Sequence, residues 1–252
     1  MFQIPREKTI IVIPCYNEEL RLPVQEFLDF VHQVPGYGFL FVDDGSTDRT
    51  FQILSEIKLK EPNRFELLKL ERNSGKAEAV RQGFVSTLNP SGVEFIAFWD
   101  ADLATPLNLL PDFITVFKEH REIEMVLGAR VKLMGRNIKR LAHRHYLGRI
   151  FATFVSVAIN LSIYDTQCGA KVFRVTDTLK KIFSEPFKSK WIFDVEILAR
   201  YMKQKQISSS EAEHLICELP LTEWHDVAGS KLRPGDYLTA FMELIQIYLA
   251  YR

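Results

Sequence analysis

Phe95-Ile96-Ala97-Phe98-Trp99-Asp100-Ala101-Asp102 decides the fold, because five apolar residues run straight into two carboxylates one residue apart. An uninterrupted apolar run of this length predicts a strand buried on both faces, as in a parallel sheet covered by helices. Two acids at its exposed end repel each other unless a hard cation sits between them, and carboxylate oxygens suit magnesium or manganese. That arrangement points to chemistry on a phosphate-bearing substrate.

Working outward, Thr9 to Ile13, Tyr37 to Val42, Phe65 to Leu70 and Met125 to Leu127 read as further strands, separated by helical patterns. Such alternation predicts an α/β fold with a mostly parallel sheet flanked by helices. Ligands then bind beyond the carboxyl ends of the strands. Ile13-Pro14-Cys15-Tyr16-Asn17-Glu18 and Val42-Asp43-Asp44-Gly45-Ser46-Thr47-Asp48 follow the first two strands and bring polar groups to the edge that carries Asp100. An acid there can accept a hydrogen bond from a nucleobase imide or a ribose hydroxyl. Taken alone, Asp43-Asp44 fits turn-and-cap chemistry better, and the combination with Asp100 and Asp102 reverses that in favour of a ligand contact. Asp44 to Thr47 predicts a turn with capping side chains, and Thr105-Pro106 predicts a cap with proline at the first helical position.

The 252 residues suffice for one large or two small domains, and the 32 basic and 32 acidic residues balance, which argues against general nucleic-acid binding. Cys15, Cys168 and Cys217 have no spacing that favours a disulfide framework or a zinc site, so a reducing, cytoplasmic location is expected. The chain opens without a signal-peptide progression, and no run reaches the roughly 20 apolar residues of a spanning helix. Charge is uneven, however. No acid occurs between Glu124 and Asp165, while Arg130, Lys132, Arg136, Lys139, Arg140, Arg144 and Arg149 do.

Behind this basic stretch, Ile150 to Tyr164 carries Thr153, Ser156 and Asn160 at helical spacing. Tyr237 to Tyr251 similarly carries Thr239, Glu243 and Gln246. Each predicts an amphipathic helix that lies either on a core or at a membrane surface. Neighbouring basic residues would add about 1 kcal/mol each near an anionic membrane.

Asn73-Ser74-Gly75-Lys76 precedes a helix, where a lysine and free amides could meet phosphate, but it lacks the upstream glycine of a P-loop. Asp100 to Thr105 misses the aspartyl-phosphatase spacing by one residue. His143, His145 and His225 lack a third partner for a metal, and Cys168 reads as a packing residue. Trp191 and Trp224 fit either a sugar pocket or the core.

The ordered set IPCYNE (13–18), VDDGSTD (42–48), NSGKAEAVRQG (73–83), DADLATP (100–106), GAR (128–130), DTQCGAKVF (165–173), WIFDVEIL (191–198) and GSKL (229–232) resembles the family-2 inverting glycosyltransferases of GT-A fold. Within them it is most similar to the dolichyl-phosphate glucosyltransferase branch. The resemblance implies a GT-A domain over 1–232, with a nucleotide-binding half to about 130 and an acceptor half beyond it, followed by an amphipathic helix over 233–252. It implies a nucleotide-sugar site from Pro14, Tyr16, Glu18, Val42, Asp44, Lys76, Asp100, Ala101, Asp102 and Lys231. Asp100 and Asp102 would take Mg²⁺ or Mn²⁺. Mannosyl relatives carry a metal-touching glutamine where this chain has Ala104, a departure that fits the glucosyl branch.

By the same resemblance, Arg130 faces the donor or acceptor phosphate, and Asp165-Thr166-Gln167-Cys168-Gly169 closes over the acceptor with Gln167 and Arg144 in contact. The implied reaction is inverting transfer of a hexose, glucose from UDP-glucose, to a polyprenyl phosphate at the cytosolic membrane surface. A saccharide hydroxyl is the alternative acceptor, and a nucleotide-binding membrane adaptor without catalysis is a second alternative. A hydroxyl acceptor would need a general base. Asp194 and Glu196 are the candidates, lying on one side of a strand but splayed by about 200° on a helix, and Asp194 is favoured. An integral-membrane partner or a homo-oligomer is also expected.

Overall fold

A computed structural model describes residues 8–88, 92–139, 142–227 and 234–251, with 142–145 and 234–237 described by backbone alone. In chain order the elements are β1 (Thr9–Cys15), α1 (Val24–Gln33), β2 (Tyr37–Asp43), α2 (Thr50–Lys60), β3 (Phe65–Lys69), α3 (Lys76–Thr87), β4 (Phe95–Trp99), α4 (Leu110–Glu119), β5 (Met125–Ala129), β6 (Asn137–Lys139), α5 (Ala142–Ile159), β7 (Ala170–Arg174), α6 (Asp177–Ser184), α7 (Phe193–Lys205), α8 (Ser209–Glu213), β8 (Ile216–Pro220), β9 (Glu223–His225) and α9 (Pro234–Tyr251). The five expected strands are all present. They belong to a seven-stranded sheet of order β3-β2-β1-β4-β7-β5-β8, and β6 pairs with β9.

The chain divides into two compact units, Met1–Leu103 with Val172–Pro186, and Ala104–Lys171 with Phe187–Arg252. In the first unit β1 pairs in parallel with both β2 and β4, and β2 with β3. Ile10 to Ile13 and Phe39 to Val42 are fully buried, as expected for strands covered on both faces. Side chains alternate across β2: Phe39 and Phe41 meet Phe27 of α1 at ring distances of 5.6 and 5.2 Å, whereas Val42 faces α3. On that second face, a Cβ at Gly83 would come within 2.4 Å of Val12 Cγ1, so only glycine lets α3 lie this close to β1.

In the second unit β5 pairs in parallel with β8. The rings of Phe151 and Phe154 on α5 meet Phe241 of α9 at 5.7 and 5.2 Å. Both expected amphipathic helices form, with Thr153, Asn160, Thr239 and Gln246 exposed as polar markers should be, while Ser156 and Glu243 turn to protein. Ser156 Oγ donates to Ile163 O, and Asn160, in a left-handed conformation at φ 52°, donates to Ser209. Glu243 accepts the amides of Lys190, Trp191 and Ile192 at 3.0 to 3.1 Å, placing a buried anion over the amino end of α7. Exposed as well are Leu147, Ile150, Phe154 and Val157 on α5, and Leu238, Met242, Ile245 and Leu249 on α9. Among the described residues no helix is long and apolar enough to cross a membrane.

Two capping expectations are corrected. Thr105 is buried with its hydroxyl 4.0 Å from Cys168 Sγ, and a short 3-10 turn over Leu107–Leu109 separates it from α4, whose first turn holds Pro111. Before α2 the capping carboxylate is Asp48, which accepts the Thr50 amide at 2.9 Å.

Candidate active site

The adjacent ends of β1 and β2 lie in register at Cys15 and Asp43, and their loops are stitched together. The Asp44 amide donates to Cys15 O at 2.9 Å, the Thr47 amide to Asn17 Oδ1 at 2.9 Å and the Glu18 amide to Thr50 Oγ1 at 2.7 Å. Gly45, at φ 66°, permits the turn, where a Cβ would collide with the backbone of Arg72 and Asn73.

Pro14 and Tyr16 are half-buried at this edge. Glu18 is buried and accepts Arg21 Nε and Nη2 at 2.9 and 2.7 Å. Val42 points into the core beneath α3, so its backbone is the part available to a ligand.

Asp44 ties this edge to the start of α3. Its two oxygens accept the Ser74 and Gly75 amides at 2.7 and 2.8 Å. Burial raises its pKa above 3.8, those two amides pull it back, and Asp43 adds repulsion. Asp43, absent from the set of nucleotide-sugar residues that the resemblance implies, is fully buried: Oδ1 accepts the Ser46 amide at 3.3 Å, and Oδ2 has no hydrogen-bond partner among the described residues. A buried acceptor of that kind suits an imide or hydroxyl donor.

Beyond β4 the chain turns back at once, with the Leu103 amide donating to Asp100 O at 3.2 Å and Leu103 at φ 49°. This tight turn carries half-exposed Asp100 and Asp102 and buried Ala101. Lys76, the first residue of α3, reaches across, and its Nζ lies 2.6 Å from Asp100 Oδ1. Among the described residues no group of three or more acidic, histidine or cysteine side chains surrounds a common point. Two carboxylates on one turn nevertheless fit a magnesium-type ion, which keeps waters and takes further oxygens from a substrate phosphate.

In the second unit Arg130 forms a two-pronged pair with Asp165 at 2.6 and 2.7 Å, and its guanidinium lies 5.3 Å from the Trp224 ring. Glu218 accepts the amides of Tyr164 and Asp165 at 2.7 and 2.8 Å. Burial holds its pKa above 4.5, these amides oppose that, and Asp165 repels it further. Gln167 is half-buried, with Nε2 lacking a partner among the described residues. Asp194 and Glu196 lie in the first turn of α7, and the helix separates their surroundings. Asp194 pairs with buried Lys171 at 2.7 Å. Glu196 serves Arg200, Tyr251, Lys188 and Ser189 within the protein. Lys231 and the Arg144 side chain lie outside the described residues.

A Rossmann-like sheet with an acid pair and a lysine at its carboxyl edge defines an α/β enzyme class that handles phosphate-bearing substrates. Residues 10–180 match the family model described as glycosyl transferase family 2. The chain belongs to that family and is a glycosyltransferase. It is 33% identical over 263 residues to the dolichyl-phosphate beta-glucosyltransferase of Saccharomyces cerevisiae, covering 96% of this chain and 74% of that one. It is 31% identical over 242 residues to the Dictyostelium discoideum protein of the same name, covering 89% and 68%.

The fold is similar to that of Mycobacterium tuberculosis glucosyl-3-phosphoglycerate synthase, solved with Mn²⁺, uridine diphosphate and glucosyl-3-phosphoglycerate. The TM-score is 0.62 at 17% identity, covering 97% of this chain and 80% of that one. The mannosyltransferase PcManGT of Pyrobaculum calidifontis, solved with GDP-mannose and Mn²⁺, gives a TM-score of 0.61 at 15% identity, covering 99% and 67%. These likenesses establish the GT-A fold.

Proposed function

We propose that this chain transfers glucose from UDP-glucose to dolichyl phosphate, with inversion, at the cytosolic surface of a membrane. The observation that carries this reading is 33% identity, across 96% of the chain, to a dolichyl-phosphate beta-glucosyltransferase. Uridine diphosphate and Mn²⁺ in the similarly folded synthase support the donor class. Asp43 and the backbone around Val42 recognise the base and ribose, Lys76 supplies positive charge to the diphosphate, and Asp100 and Asp102 hold Mg²⁺ or Mn²⁺. A divalent ion held there offsets negative charge on the departing diphosphate.

The acceptor oxygen of a lipid phosphate is already anionic, so no side chain need abstract its proton. That suits Asp194, whose carboxylate is engaged by Lys171. Gln167 contacts the acceptor, and Arg130 orders Asp165 two residues before it. The exposed apolar residues of α5 and α9 rest on the membrane, which brings the enzyme to its lipid.

Calorimetric binding of UDP with and without Mg²⁺ tests the donor half, and side-by-side transfer to dolichyl phosphate and to soluble saccharides tests the acceptor. Metal-dependent UDP binding with label only in lipid is the expected result. Label only in saccharide would remove the lipid acceptor.

A further inference from the structure

Lys171 is 2% exposed, and a lysine that deep is tolerated only when its charge and donors are used. Its Nζ pairs with buried Asp194 on α7 and donates to the carbonyl of Cys168. One ammonium therefore joins the amino end of α7 to the far end of the Asp165–Gly169 loop. The near end of that loop is pinned separately, by Arg130 and Glu218 on Asp165 and by the Gln167 amide on Asp165 Oδ1 at 3.2 Å.

Between the two pins, Thr166 Oγ1 and Gln167 Nε2 are buried and have no hydrogen-bond partner among the described residues. Buried polar groups in folded proteins are otherwise nearly always paired. Two such groups on consecutive residues of a loop fixed at both ends offer one N–H donor and one hydroxyl to a ligand oxygen.

We propose that Lys171 is a positioning residue, whose ion pair with Asp194 and bond to Cys168 hold Thr166 and Gln167 in the geometry that contacts the acceptor. The inference rests on the function proposed above and adds Thr166 to the acceptor contact. It places the effect of Lys171 on acceptor turnover rather than on nucleotide binding, because Asp194 and Cys168 lie outside the loops around Asp44 and Asp100.

The test compares Lys171→Met, Lys171→Arg and the double variant Lys171→Met/Asp194→Asn with the wild type. The readouts are UDP affinity with Mg²⁺, thermal midpoint, and transfer of labelled glucose to dolichyl phosphate in mixed micelles. Lys171→Met should lower kcat/KM for the acceptor about 100-fold, the scale of a misplaced contact, while UDP affinity holds within about twofold. Lys171→Arg, which keeps the charge and the donors, should recover activity to within about tenfold of wild type. The double variant leaves no buried charge alone, so its thermal midpoint should rise back toward wild type while transfer stays low.

Recovery of transfer together with the thermal midpoint would overturn the proposal and reduce Lys171 to a structural role. So would unchanged acceptor turnover in Lys171→Met, or a loss of UDP affinity as large as the loss of transfer. The wild type's own transfer reports on the proposed function, whereas the ratios between variants report on Lys171.

Discussion

Lys76 Nζ lies 2.6 Å from Asp100 Oδ1, so the first residue of α3 places its charge on the first acid of the turn after β4. The pair is half-exposed, and exposed pairs of this kind contribute little to stability. Lys76→Met should therefore leave denaturant stability within about 0.5 kcal/mol of wild type. It should weaken nucleotide-sugar binding about tenfold, the loss of one charge-assisted contact. Calorimetric titration with UDP checks the second figure, and urea unfolding checks the first.

Two glutamates in the second unit, Glu196 buried and Glu218 half-buried, should respond to pH in opposite senses. For Glu196 burial is the largest influence and raises the pKa. The Lys188 amide, the Tyr251 hydroxyl, the Ser189 amide and Arg200 outweigh it, and the value falls below 4.5. Its stabilising contribution is present above pH 4.5 and is lost as pH falls through the depressed value. Glu218 is raised above 4.5 by burial, so its contribution is present below that pH and is lost as pH rises through the elevated value. Relative to wild type, Glu196→Gln should be most destabilised near neutral pH, by about 3 kcal/mol for a broken buried ion pair. Glu218→Gln should lose least there and most in acid. Urea denaturation across the acid-to-neutral range separates the two.

Much of this architecture was legible because it follows from apolar runs. Phe95 to Trp99 ends in acids at a strand terminus, and the five strands read from β-branched and aromatic runs all form. Residue type alone did not show which carboxylates stay available to a ligand. Asp44 spends both oxygens on the Ser74 and Gly75 amides and Glu18 turns to Arg21, while Asp43, one position earlier, keeps an oxygen without a partner among the described residues. Such choices depend on loop geometry, which brings together amides some 30 residues apart in sequence. Lys171 was equally silent, since its ion-pair partner Asp194 lies on a separate helix, α7. The helical α7 gives Asp194 and Glu196 different partners, Lys171 and Arg200, as the splay of alternate residues requires.

Gly83 offers a test of the sheet packing that carries the acid pair. A methyl group there would meet Val12 Cγ1 at 2.4 Å and Val42 Cγ2 at 3.1 Å. Gly83→Ala should destabilise the protein by about 1–3 kcal/mol through overpacking, despite alanine's better helix propensity. Thermal or urea unfolding measures it, and a stabilised variant would mean that α3 does not lie so close to β1.

The apolar side chains of α5 and α9 provide a test of membrane docking. Val157 and Ile245 are 77% and 60% exposed, so replacing both with aspartate leaves the core intact. Each substitution should lower partition onto anionic vesicles about tenfold, corresponding to about 1.4 kcal/mol of lost contact. UDP affinity should not change. Unaltered sedimentation with vesicles would assign these side chains to another partner.

The central claim is metal-assisted glucosyl transfer to a lipid phosphate, and its most direct measurement is label from UDP-glucose recovered in the organic phase after incubation with dolichyl phosphate and Mg²⁺. The wild type should produce glycolipid, and Asp102→Asn should reduce the rate by about 100-fold or more, as expected for loss of electrostatic stabilisation of the leaving group. No organic-phase label from a wild-type protein that still binds UDP, or label undiminished in Asp102→Asn, would contradict it.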